Sequence, residues 1–262
     1  MRPVLFHLGP IPIYSYGTMV ALAFLVSLWA VGRRAQKAGL ATFDQIIDLS
    51  LWVLIGGVVG ARLLFVLLEL PTYLKNPVSI VLINQGGLSF YGAVLAAFIC
   101  GAVYVRRKKL PLWPLADVVA PWVALGYSIA RVGCLLNGCC YGVPTNVPWA
   151  LRCAAGDNLL RHPTQIYSMI ASLGLFVLLL SVEKKKPFDG FVFWLYIGLY
   201  AITRFIIEIF RDSQILAFGW LRTTQAACFL IVLLAAWMIY RGYRKKGRVD
   251  RVAGEEVIHS GE

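Results

Sequence analysis

Apolar residues in this chain come in long unbroken runs, not in the two-residue or 3.6-residue alternation of half-buried strands and surface helices. Seven runs of membrane length stand out, near residues 14–32, 46–69, 86–105, 113–134, 166–182, 190–210 and 220–240. About 20 apolar residues at 1.5 Å per residue match the roughly 30 Å hydrocarbon core of a bilayer. Lipid offers the backbone no hydrogen bonds, so runs of this kind close their own bonds as helices. The pattern predicts an all-α integral membrane protein with seven transmembrane helices. The first run has neither a basic leader nor a small-residue cleavage site, so it reads as a span and not as a removable signal. No long linker, repeat or low-complexity stretch interrupts the chain, which predicts one polytopic membrane domain over residues 1–262.

Charge adds an orientation to this picture. Of the 262 residues only 15% are charged, against about a quarter in a soluble domain, yet the net charge is +12. The positive residues form four blocks: Arg33, Arg34 and Lys37; 106–109; Lys184 to Lys186; and the tail from Arg241 to Arg251. Each block follows an apolar run, and the intervening connections carry few positives. This is the positive-inside pattern, and it places the N-terminus outside and the C-terminus in the cytoplasm. The blocks therefore read as contacts to membrane lipid headgroups and not as a nucleic-acid surface.

Ionisable side chains inside spans cost roughly 2.5–3.5 kcal/mol each on insertion scales, so each needs a reason. Threading the spans places Arg62, Arg131, Arg204 and Glu208 near one, outer depth, with Tyr16 and Tyr91 at the same level; Asp48 and Asp117 do not join them. In "GLYAITRFIIEIFRD", Tyr200, Arg204, Glu208 and Arg211 are four, four and three apart and share a helix face. A guanidinium held there suits an anion, because its planar fork binds phosphate oxygens bidentately and keeps its charge when desolvated. An internal Arg204–Glu208 pair that only makes the helix insertable is the plainer alternative.

Glycine and cysteine supply further signals. Gly56 and Gly60, four apart, predict close helix packing. Gly86 and Gly87 in "NQGGLSFYGA" and the "NGCCYG" stretch mix glycine with polar residues at helix ends, where irregular backbone lines a cavity or is buried in protein. Asn137 there also suits a helix C-terminal cap. Cys100 and Cys228 lie inside spans as small apolar residues, while Cys134, Cys139, Cys140 and Cys153 gather at the outer end of the fourth span. Those four keep a second class of function open, a membrane thiol/disulfide or metal-thiolate protein, although no CxxC pair is present. A lone interfacial His162 reads as structural.

The segments "YSYGTMVALAF", "GGVVGARLLFVL", "GGLSFYGAVL", "ARVGCLLNGCCYG", "RHPTQIYSM" and "TRFIIEIFRD", in this order, resemble the bacterial prolipoprotein diacylglyceryl transferase family over nearly the whole chain. The resemblance implies an enzyme of the bacterial inner membrane whose site faces the outer leaflet. Such an enzyme moves diacylglycerol from phosphatidylglycerol to the lipobox cysteine of a prolipoprotein signal peptide, forming a thioether and releasing glycerol phosphate, with no cofactor and no metal. It further implies that Arg131 and Arg204 engage the lipid phosphate, that Glu208 is the acidic residue one turn beyond, and that Tyr16, Asn137 and Gly142 serve activity. The expected catalytic residues are Arg131, Arg204, Tyr91 and Glu208; Arg62, Tyr16, Asn137, Gly142, Gly86 and Gly87 join the arginines in binding substrate. The chain departs from the family pattern at Tyr91, where a histidine is common, at Cys134 and Cys139, in place of asparagine and glutamate, and at Ser168, in place of an acidic residue. These departures leave the base open.

Overall fold

The computed structural model describes residues 2–75, 77–82, 86–152, 159–211 and 222–259; Cys153 lies outside the described residues. Among the described residues, seven helices are long and apolar enough to cross a membrane. They are α1 (Ser15–Lys37), α2 (Phe43–Leu68), α4 (Phe90–Arg107), α5 (Leu112–Asn137), α6 (Thr164–Glu183), α7 (Phe191–Ile209) and α8 (Thr223–His259), with a short α3 (Leu70–Lys75) after the second. The all-α reading and the seven spans hold, with most boundaries displaced by a few residues.

Two boundaries moved for physical reasons. The third span begins at Phe90 and not at 86, because Gly86 and Gly87 adopt φ +84° and +77°, outside helical geometry. Ser89 then caps the helix, accepting from the Gly92 N–H at 3.5 Å. The last helix continues past 240 through the basic tail, whose Lys and Arg favour helix once outside lipid. Two antiparallel hairpins were not foreseen: β1 (Val4–Leu8) with β2 (Ile11–Tyr14), and β3 (Leu151–Arg152) with β4 (Leu160–Arg161).

The chain divides into two compact units, residues 30–115 and residues 1–29 with 116–262. In the first, α2 and α4 cross where glycine removes the side chain from the contact. A Cβ on Gly60 would stand 2.7 Å from the Gly92 carbonyl oxygen, and one on Gly56 would strike Cys100. This is the close packing expected of the small-residue spacing. Asp48 is accounted for here as well, accepting from Tyr104 at 3.4 Å.

In the second unit, Ala120 and Ala124 of α5, Leu175 and Leu179 of α6, and Val192 and Tyr196 of α7 form a buried core. Next to it Asp117, 1% exposed, explains its own presence in a span. Its carboxylate accepts from the backbone N–H groups of Gly190 at 2.8 Å and Phe193 at 3.0 Å, and from Lys186 at 3.0 Å. Gly190 has no side chain to cap α7, so an acidic residue from another helix satisfies its first amides and its dipole. Burial works against the Lys186 charge, but its bonds to Asp189 and Asp117 prevail and raise its pKa.

Candidate active site

At the opposite end of this unit, α5 and α7 stop and α1, α6 and α8 begin. α5 ends in a Schellman turn: the Gly138 N–H reaches the Leu135 carbonyl at 3.2 Å and the Cys139 N–H the Cys134 carbonyl at 3.1 Å. Gly138 adopts the required left-handed φ of +73°, and Asn137 occupies the cap position. Cys140 follows at φ +64°, unusual for a residue with a side chain. The turn is clamped from α6. Gln165 Nε2 donates to the Cys139 carbonyl and Thr164 Oγ1 to the Cys140 carbonyl, both at 2.7 Å, and both side chains are 1% exposed. Chain reversal folds the three sulfurs of Cys134, Cys139 and Cys140 to within 4.8 Å of one another, and none is in a disulfide.

Gly142 comes next, and its lack of a side chain is required. Its N–H donates to the His162 carbonyl at 2.9 Å, and a Cβ there would collide with the Phe210 carbonyl oxygen. The following Val143 N–H donates to that same Phe210 oxygen at 2.9 Å, tying the loop to the end of α7. His162 packs on the Phe210 ring, and its Nδ1 is 3.1 Å from Tyr167 Oη, which also accepts from Trp149 at 2.7 Å. That engaged environment is structural.

Arg131 and Arg204 both belong to this unit. Arg131 Nη2 donates to Tyr127 Oη at 2.5 Å, its guanidinium lies 4.6 Å over the Tyr127 ring, and Nη1 is 3.8 Å from Cys134 Sγ. Tyr127 meets Tyr200 edge to face at 5.4 Å between centroids, and Tyr200 stands one turn before Arg204 on α7. Arg204 Nη1 is 2.6 Å from Glu208 Oε2, an ion pair off the aligned hydrogen-bond direction. Arg222 at the start of α8 donates to the Glu208 backbone carbonyl. Among the described residues each of Arg131 and Arg204 keeps guanidinium donors uncommitted, which is what a phosphate ligand needs. Tyr16 lies at the start of α1, within electrostatic reach of Arg131 and the three thiols. Cys140 stands beyond the span. A hydrogen bond from the Cys134 thiol, helped by the Arg131 and Arg211 charges, outweighs burial and holds its thiol well below the usual range.

Arg62, Tyr91, Gly86 and Gly87 belong to the other unit. Arg62 is 7% exposed and commits all five donors to carbonyls: Nε to Ile80 at 2.9 Å, Nη1 to Gly86 and Gly87 at 2.7 and 2.8 Å, and Nη2 to Ser79 and Leu82 at 2.5 and 3.3 Å. A guanidinium saturated in this way has no donor left for the substrate contact expected of it; it holds the segment before α4 in place. The positive φ of the two glycines turns their carbonyls toward it. Tyr91 is 76% exposed and meets only the Phe90 ring among the described residues.

Against known proteins, the family model for prolipoprotein diacylglyceryl transferase matches residues 3–241. The chain belongs to the prolipoprotein diacylglyceryl transferase family. Relatives named phosphatidylglycerol–prolipoprotein diacylglyceryl transferase agree. The protein of Geobacter sulfurreducens is 35% identical over 93% of this chain and 96% of its own length. That of Clostridium tetani is 33% identical over 91% and 96%, and that of Bacillus cytotoxicus 31% over 95% and 94%. Sequence reasoning missed Tyr127, whose ring packs on that of Tyr200, and the Thr164–Gln165 clamp. Tyr127, four residues before Arg131, carried the same helical-face signal that singled out Tyr200.

Proposed function

We propose that this member of the family transfers the diacylglyceryl group of phosphatidylglycerol to the lipobox cysteine thiol of prolipoprotein signal peptides. The acceptor sulfur attacks the glyceryl carbon, the carbon–sulfur bond forms, and the carbon–oxygen bond to phosphate breaks. Its electron pair leaves with glycerol phosphate, while the thiol proton departs to a base or to water. One observation carries the reading. In a chain matching phosphatidylglycerol–prolipoprotein diacylglyceryl transferases over more than nine-tenths of its length, Arg131 bonds Tyr127, and Tyr127 packs on Tyr200, one turn before Arg204. Both are half-buried, and charge on a departing phosphate is stabilised more strongly where water is excluded.

Arg131 and Arg204 bind and neutralise the phosphodiester in this proposal, and Glu208 fixes Arg204. Tyr16 borders the site, Asn137 and Gly142 shape its loop, and Arg62 acts through the segment carrying Gly86 and Gly87. Within the unit that holds Arg131, the basic ends of α6 and α8 lie opposite the Arg131 end by chain direction. This supports the cytoplasmic membrane of a bacterium as the location, with the C-terminus in the cytoplasm, the site toward the outer leaflet, and 1–262 acting as one polytopic domain. The test is incubation of the purified protein with phosphatidylglycerol and a lipobox peptide, followed by mass spectrometry. A diacylglyceryl adduct on the peptide cysteine is expected; its absence with properly folded protein overturns the reading.

A further inference from the structure

The three thiols after α5 are a site in their own right. Cys134, Cys139 and Cys140 place their sulfurs within 4.8 Å of one another, with Cys134 buried and the other two half-buried. The Schellman turn and the Gln165 and Thr164 bonds hold the backbone that carries them. A tetrahedral ion bound to thiolates at about 2.3 Å holds its sulfurs about 3.8 Å apart, so side-chain movement of about an ångström closes the set. An all-sulfur donor set selects soft and borderline ions over magnesium or calcium. Three thiolates around a dication leave one negative charge, and Arg131 Nη1 stands 3.8 Å from Cys134 Sγ to meet it. Among the described residues three protein ligands leave one tetrahedral position open, the arrangement of a catalytic and not of a structural zinc centre.

We infer that Cys134, Cys139 and Cys140 bind one thiophilic divalent cation of the zinc–cadmium class, and that its open position takes the acceptor thiol of the transfer reaction. The second half rests on the function proposed above. It departs from the expectation of no metal, and it answers the question the sequence left open. Among the described residues the other proton acceptors are poorly placed: Tyr91 is 76% exposed, Glu208 is paired to Arg204, and His162 Nδ1 is engaged by Tyr167. A thiol that coordinates such an ion gives its proton to water and remains as a bound thiolate. Its sulfur forms the bond to the glyceryl carbon as the carbon–oxygen bond breaks, and the electron pair leaves with glycerol phosphate beside Arg131. The neutral thioether is a weaker ligand than the thiolate, and its departure reopens the position.

The full-length protein, purified reduced and metal-free in detergent, is titrated with cadmium ion while the ultraviolet thiolate-to-cadmium charge-transfer absorption is followed. The band is expected to saturate at one ion per chain and to be lost in C139S/C140S; the single Cys139→Ser variant, which perturbs the loop less, loses most of it. A cysteine-containing lipobox peptide then raises the band by about a third, the step from three thiolates to four, while its serine counterpart does not. No saturable band, a band surviving in C139S/C140S, or two of the three thiols oxidised together in freshly isolated protein overturns the cation site. An equal response to both peptides overturns the fourth-ligand assignment. Transfer is expected to fall at least tenfold with a chelator and to return with zinc. Transfer untouched by chelator and by C139S/C140S overturns the inference and leaves the transferase reading standing. Protein that takes up cadmium yet never modifies a peptide keeps the cation site and overturns the transferase reading together with the fourth-ligand assignment.

Discussion

Replacing Arg131 probes the phosphate site most directly. Its guanidinium commits one donor to Tyr127 Oη at 2.5 Å, directs Nη1 toward Cys134 Sγ at 3.8 Å, and stands 4.6 Å over the centre of the Tyr127 ring. In the proposed reaction the remaining donors form a fork for two phosphate oxygens. Arg131→Lys keeps the charge but loses the fork and the guanidinium contact with the tyrosine ring. Losing one charge-assisted bond in the transition state costs about 1.5–3 kcal/mol. At 1.36 kcal/mol per decade this is roughly a ten- to a hundred-fold fall in rate. Arg131→Ala removes the charge as well, and the fall is about 10²-fold or more, by analogy with deleting one oxyanion donor. The assay is the initial rate of diacylglyceryl transfer to a lipobox peptide at saturating phosphatidylglycerol, normalised to protein that elutes as a single folded species. Because the charge acts on the departing phosphate, the loss falls on kcat. An Arg131→Ala protein as fast as wild type, or a Lys variant changed only in KM, refutes the assignment.

Three further outcomes are expected. Tyr91→Phe retains measurable transfer, since Tyr91 is 76% exposed and meets only the Phe90 ring among the described residues; complete loss would return the base to this position. Asp117→Ala leaves Lys186 and two α7 amides without their buried partner, and should destabilise the protein by about 3–5 kcal/mol, seen as a large drop in Tm in detergent; an unchanged Tm contradicts the capping role. The raised pKa of Lys186 fixes the sign of a pH effect: its contribution is full below about 10.4, the unfolded value, and is lost as pH rises through the higher folded value. The Tm advantage of wild type over Lys186→Met should therefore hold at pH 8 and shrink in strong alkali, and a constant gap would contradict the ion pair.

The seven spans were legible in the residues alone, because bilayer thickness acts on every residue of a run and so writes its signal locally. Also legible there were the Gly56–Gly60 packing face and the residues of the "TRFIIEIFRD" helix, whose Arg204–Glu208 contact follows from helical periodicity alone. The order of the motifs was enough to reach the family. Tertiary structure decided what each intramembrane charge does. Arg62 and Arg131 look alike in sequence, each an arginine in the outer part of a span, yet one is saturated by five carbonyls and the other keeps its fork. Asp117 became a cap for a helix 73 positions away. The convergence of three sulfurs depended on a left-handed turn and on two side chains from the next helix. Donor saturation, distant capping and sulfur geometry all depend on partners remote in the chain, and no local pattern encodes which partner arrives.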